Sequence, residues 1–114
     1  MSRIYKILTR ALWQAAAAAG RFDGAAIDLT DGYIHFSTAA QAQETARLHF
    51  RGQTDLVVLA VETDRLGPAL KWEASRGGQL FPHLYGPLDT AHVAVVTEAP
   101  VDAEGVPQLG PLTP

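Results

Sequence analysis

Tyr33-Ile34-His35-Phe36-Ser37-Thr38, with Gln41 three residues further on, decides how this chain is read. Successive side chains of a strand point to opposite faces. Ile34 and Phe36 therefore share one face, and Tyr33, His35 and Ser37 share the other. One face is apolar and the other is a row of hydrogen-bonding groups. Thr38 and Gln41 have the spacing of a capping box, so a helix opens where the strand ends. That helix runs from about Ala39 to Phe50, with Ala42, Ala46, His49 and Phe50 on its core side. Arg51-Gly52 ends it.

Upstream, Arg3-Ile4-Tyr5-Lys6-Ile7-Leu8 alternates like a first strand. Thr9 is its sequel as an N-cap, and Arg10 to Ala19 predicts a short alanine-rich helix with Leu12, Ala16 and Ala19 on one side. Gly20 suits the residue just past a helix end. Residues 21–31 read as loop, with Asp23-Gly24 and Asp31-Gly32 as turn signals. Downstream, Leu56 to Val61 is almost wholly apolar and predicts a central strand covered on both faces. Leu70 to Glu73, Leu80 to Leu84 and His92 to Glu98 predict further strands. From Pro100 the chain holds four prolines and two glycines and reads as irregular.

The order is strand, helix, strand, helix, then several strands, without the steady alternation of a doubly wound sheet. The expected fold is α+β, with two helices packed on a mixed, split β-sheet. The domain spans residues 1–100, and 101–114 form a Pro-rich tail that drapes over the surface or frays.

At 114 residues and 47% hydrophobic, the chain can bury one core without a cross-link, and it has no cysteine. No stretch approaches the roughly 20 apolar residues of a membrane helix, and Ala15 to Ala19 follows no charged leader. A soluble, cytoplasmic protein is expected, with no membrane partner. The net charge of −3 and pI near 5.7 leave no basic footprint for nucleic acid. The oligomeric state is open at this stage.

A second segment matters for chemistry: Leu80-Phe81-Pro82-His83-Leu84-Tyr85-Gly86-Pro87-Leu88. Its prolines fix φ and its glycine permits an unusual backbone path. It reads as a rigid loop holding an imidazole and a phenol still. His35 precedes a helix N-terminus, where an anion can be received, so it is a candidate to shuttle a proton or contact phosphate. Its plainer reading is a buried histidine bonded to backbone. His83 and Tyr85 form a second candidate pair, with loop plugging as the plainer reading. Trp72-Glu73 suits a ring-bearing ligand, or else is a core tryptophan beside an outward glutamate. Arg76 is a candidate for an anionic ligand, or is simply solvated. The histidines at 35, 49, 83 and 92 lack metal-ligand spacing, and no metal site is expected. There is no Walker loop, dinucleotide glycine fingerprint or nucleophile elbow.

Ile4-Tyr5-Lys6-Ile7-Leu8, the Asp31 to Thr38 segment with Gln41, and Leu80 to Leu88 together resemble the domain-of-unknown-function family 952, small bacterial proteins, up to about Pro100. Some members carry a glutathione S-transferase-related label, but this chain has neither a thioredoxin-like start nor a long all-helical half. The resemblance implies a fold like that of ADP-ribosyltransferases. Laid on that pattern, the position of the first-strand Arg or His falls near Lys6, and the second motif falls on His35-Phe36-Ser37-Thr38. His-Phe-Ser is also similar to the RNA 2′-phosphotransferases of that fold. The place of the late-strand glutamate falls around Gly78-Gln79, where none stands, which argues against ADP-ribose transfer.

Two functions follow. One is a transferase-like enzyme with a nucleotide-sized pocket. His35 and His83 would be its catalytic groups, with Lys6, Ser37, Trp72, Glu73 and Tyr85 contacting the ligand. NAD enters as a cofactor only through the resemblance. The alternative is a non-catalytic domain that holds a small molecule or a peptide end.

Overall fold

The computed structural model describes residues 2–114, and of Arg76 the backbone alone, so the expectation attached to that side chain lies outside the described residues. The first strand, β1 (Arg3–Thr9), leads directly into α1 (Arg10–Ala19). The Thr9 hydroxyl accepts the Leu12 amide, and Gly20 takes a left-handed conformation at the helix end. Then come β2 (Arg21–Phe22), α2 (Ala26–Asp31), β3 (Ile34–His35), β4 (Ser37–Thr38) and α3 (Ala39–His49). Five more strands follow: β5 (Leu56–Glu62), β6 (Leu70–Ala74), β7 (Leu80–Leu84), β8 (Leu88–Asp89) and β9 (Val93–Glu98).

The α+β class is observed, and the sheet is split. A four-stranded sheet runs β4-β1-β5-β9, a three-stranded one β3-β7-β6, and β2 pairs β8. Two details of the expectation need correction. Every observed strand pairing is antiparallel rather than mixed. A helical crossover such as α3 joins strands of like direction, β4 and β5, but β1 is inserted between them, so they never pair. There are also three α-helices among the described residues, not two, because α2 occupies part of the expected loop.

The long strand expected at Tyr33–Ser37 is broken at Phe36. Ile34 and His35 pair with β7, whereas Ser37 and Thr38 pair with β1. Phe36 donates its amide to the Pro82 carbonyl and buries its ring where the chain passes between the sheets.

β5 is central and buried from Leu56 to Val61. On one side Val57, Leu59 and Val61 pack with Ile4, Leu8, Ile34, Phe36 and Leu84. On the other, Leu56, Val58 and Ala60 pack with Tyr5, Ile7 and the Ala42 and Ala46 face of α3. The segment after Pro100 is irregular but packed: Val106, Pro107 and Leu109 are buried, and Gln43 on α3 bonds the Pro107 carbonyl and the Leu109 amide.

Candidate functional site

The three-stranded sheet sets the site by residue parity. In β3-β7-β6, His35 stands opposite His83, and His83 opposite Lys71. Ile34 and Leu84 point from the other face into the core. Tyr33, His35, Glu73, His83 and Tyr85 therefore gather on one face. The two imidazole centroids are 5.5 Å apart and nearly perpendicular. Tyr33 lies against both, stacked on His83 at 4.1 Å and tilted on His35 at 4.6 Å, with Tyr85 at 5.1 Å.

Each histidine has a carboxylate. His83 Nδ1 is 2.7 Å from Glu73 Oε1, and the Tyr85 hydroxyl donates to the same oxygen at 2.8 Å. Glu73 reaches His83 on the diagonal, since its own cross-strand partner is Phe81. Those bonds from His83 and Tyr85 hold the Glu73 carboxyl below its ordinary range, and the same bond to Glu73 raises the Tyr85 phenol. A carboxylate only accepts, so His83 Nδ1 carries the proton. No described residue bonds His83 Nε2. No fully enclosed side-chain nitrogen or oxygen among the described residues lacks a partner, so Nε2 keeps some exposure although His83 as a whole is 4% accessible.

His35 is held differently. Its Nδ1 is 2.6 Å from Asp28 Oδ1 and its Nε2 is 2.9 Å from Asp31 Oδ2. Both ring nitrogens are occupied, so a ligand meets no open nitrogen there.

Asp28 is the buried hub of this side. It accepts the Lys6 ammonium on both oxygens, at 3.0 and 2.9 Å. It also accepts the amides of His35 at 3.1 Å and Ala25 at 2.8 Å. Gly24 makes room for it, as a Cβ there would come within 2.8 Å of Asp28 Cβ on a φ of +128°. Burial alone raises the Asp28 pKa, but the His35 bond and the Lys6 charge overcome it and hold the carboxyl at about 2. Lys6 is shifted down by burial, against the pull of Asp28.

The sign of the pH effect follows. A carboxyl with a folded pKa of about 2 and an ordinary one of 3.8 stabilises the fold above pH 4. That stability is lost as pH falls from 4 to 2. Allowing for solvent screening, we expect a loss of about 1–2 kcal/mol. Urea midpoints measured from pH 5 to 2 check it, and Asp28→Asn removes this part of the slope.

A cleft of about 670 Å³ opens beside these groups, bordered by Lys6, Asp31, His35, Ser37 and His83 at one end and by Leu12 and Phe50 further along. Its floor includes a bare strand edge. β4 pairs β1 only at Ile4 and Tyr5. The Arg10 amide bonds the Asp55 carbonyl, so even-numbered β1 residues direct their peptide groups at β5. Ile7 therefore turns its N–H and C=O away from β5, toward the cleft.

The structure thus brings together His35, His83, Lys6, Ser37, Glu73 and Tyr85, but in unequal positions. Lys6 and Ser37 line the cleft, with the Ser37 hydroxyl 2.9 Å from that of Thr45. Glu73 and Tyr85 stand behind His83. Trp72 is not brought in: it is opposite Pro82 on the other face of β6 and is exposed. Asp28, Asp31 and Tyr33 belong to the cluster and were not singled out as site residues from sequence. Among the described residues, no group of three or more His, Cys, Asp or Glu side chains is arranged to hold a metal ion. No described helix is long and apolar enough to cross a membrane.

The chain also matches a known family by sequence. The family model described as "Protein of unknown function (DUF952)" matches residues 7–96, and the chain belongs to that family. It is similar to protein CC0527 from Caulobacter crescentus, a structural genomics target. The crystal structure of that protein is 60% identical, with 96% of each chain covered and a TM-score of 0.93. Its solution NMR structure gives 61% identity, coverage of 96% of this chain and 95% of that one, and a TM-score of 0.86. No curated protein matches the chain.

Proposed function

We propose that the protein is a transferase-like enzyme that acts on a nucleotide-sized small molecule in this cleft, with His83 as its proton-transferring group. The observation that carries the reading is the Glu73–His83 dyad. Glu73 fixes the ring and its tautomer through Nδ1, and Nε2 has no partner among the described residues, on a histidine that lines the cleft. A carboxylate-held imidazole with one free nitrogen is equipped to take a proton from a hydroxyl, amine or water and return it to a leaving group. The cleft volume suits a ligand of that size. Ile7 offers an adjacent donor and acceptor, which fits an amide or the edge of a nucleobase. His35, fastened between Asp28 and Asp31, is a wall of the site and a positioning group.

The likeness to ADP-ribosyltransferases that the family resemblance implies makes NAD the first probe, by fold analogy alone, with AMP and nicotinamide to separate its halves. Titration followed by NMR should move the His83, Tyr33 and Ile7 signals at submillimolar ligand. No binding of any of the three below millimolar concentration overturns the nucleotide reading. The Ile7 peptide group also fits a peptide bond, which favours the second reading, a binding domain without chemistry. Saturable binding with no product after prolonged incubation would decide for it.

A further inference from the structure

We propose that the cleft takes a small molecule in which an amide is joined to an apolar arm, the amide meeting the Ile7 peptide group and the arm lying against Leu12, Ile27 and Phe50. This rests on the reading of the cleft as a ligand site and adds the class of ligand; it does not depend on the chemistry assigned to His83. The order of the groups follows β1. Its Tyr5 end meets Ser37, and its Thr9 end runs into α1. His35, Ser37 and His83 therefore border the cleft at one end, Ile7 lies midway, and Leu12 lies at the other. The wall there is drawn from three places: Leu12 in the first turn of α1, Ala25 and Ile27 at the start of α2, and Phe50 just past α3. Leu12 and Ile27 are 39% and 58% exposed although both border a concave surface. Large apolar side chains left wet inside a cleft mark a place that an apolar group fills. Polar side chains beside them are turned to the protein itself: the Thr9 hydroxyl accepts the Leu12 amide, and Gln53 Nε2 donates to the His49 carbonyl.

The short bare length of β1 selects a small amide over a pairing strand. Odd-numbered β1 residues direct their peptide groups away from β5. Those of Tyr5 are met by Ser37 of β4. The Thr9 carbonyl lies at the N-cap of α1, where it takes the first bond of the helix. Between them Ile7 keeps a donor and an acceptor side by side. Regular strand pairing needs a run of such residues at every second position. One residue, closed off by β4 on one side and by α1 on the other, holds one amide. The cleft volume of about 670 Å³ is also that of a small-molecule site. With the arm toward Leu12, the other end of the ligand points toward His83.

Binding of butanamide and octanamide to the whole chain, followed by NMR, tests this. Each buried methylene should tighten binding about three- to four-fold, so octanamide should bind on the order of 100-fold more tightly than butanamide. Its terminal methyl should show nuclear Overhauser contacts to Leu12 and Ile27, and its amide should shift the Ile7 amide signal. Methyl octanoate, which has no donor, should bind about 10-fold more weakly than octanamide. Leu12→Glu combined with Ile27→Glu puts carboxylates in the apolar end and suits the fold. The first completes a capping box with Thr9, and both lie in first helical turns. In that double variant octanamide should bind no more tightly than butanamide, with circular dichroism unchanged. Affinity independent of chain length, methyl contacts to Trp72 or Val96 instead, or methyl octanoate binding as tightly as octanamide overturns the proposal. So does acetyl-Val-Ala-Val-amide binding more tightly than octanamide, which assigns the edge to a peptide strand. Ile7 and Leu12 signals that move on dilution without ligand also overturn it, in favour of a second copy. NAD titrated in parallel keeps the two readings apart. Saturable NAD binding without a gain from octanamide sinks the apolar arm and spares the nucleotide; a gain from octanamide without NAD binding does the reverse.

Discussion

Asp28→Asn will cost the fold about 3–5 kcal/mol, the range for leaving one charge of a buried pair uncompensated. Lys6 lies between Ile4 and Leu8 on β1, its side chain is 5% exposed, and both of its contacts with Asp28 are charge-assisted. Asparagine keeps the shape and one acceptor oxygen but removes the charge. The ammonium is then buried against an amide, and the Ala25 and His35 amides compete for a single oxygen. A domain of this size has about 5–15 kcal/mol of stability in all, so the variant should unfold at much lower urea. Unfolding followed by the fluorescence of Trp13 and Trp72 measures the loss. Lys6→Met in the same chain should recover part of it, because the stranded charge goes, and the double-mutant cycle should show coupling of at least about 1 kcal/mol. A loss below about 1 kcal/mol, or strict additivity, would show that the pair does not anchor α2.

That anchor explains what could be read from residues alone and what could not. The faces of a strand depend only on parity, so the apolar side of Ile34 and the polar side of Tyr33 and His35 were legible. Caps depend on a few neighbouring atoms, so Thr9, Gly20 and the start of α3 were legible too. α2 was not, because helix periodicity looks for a buried apolar stripe. Here the buried residue is Asp28, and Ile27 and Leu29 are 58% and 65% exposed. The pattern is inverted by a long-range ion pair to a strand twenty-two positions away. Trp72 and Glu73 illustrate the opposite case. They were read as one unit because they are adjacent, yet adjacency on a strand sends them to opposite faces. The meeting of His35 with His83 depended on which strands pair, and that is fixed by closure of the whole chain rather than by either motif.

The unequal fastening of the two histidines leads to the second large effect. On whichever probe nucleotide is turned over, His83→Gln will lower kcat about 100- to 10,000-fold, the usual contribution of a positioned acid–base group. Glutamine can still donate to Glu73 and fill the space beside Tyr33, so affinity should change only a few-fold and the fold should persist. It cannot accept a proton, and the loss therefore falls on the chemical step. Glu73→Gln should lower kcat by less, since imidazole remains but its tautomer and orientation are no longer fixed by a carboxylate. His35→Gln should act mainly on stability and binding, because both nitrogens of His35 serve Asp28 and Asp31 and none faces the ligand. Steady-state kinetics of the three variants, each with its urea midpoint, separate these roles. A His35→Gln enzyme that binds normally but does not turn over, beside an active His83→Gln enzyme, would reverse the assignment. The open Nε2 would then be a solvent contact, and the proton would have to travel through the Asp28–His35–Asp31 chain instead.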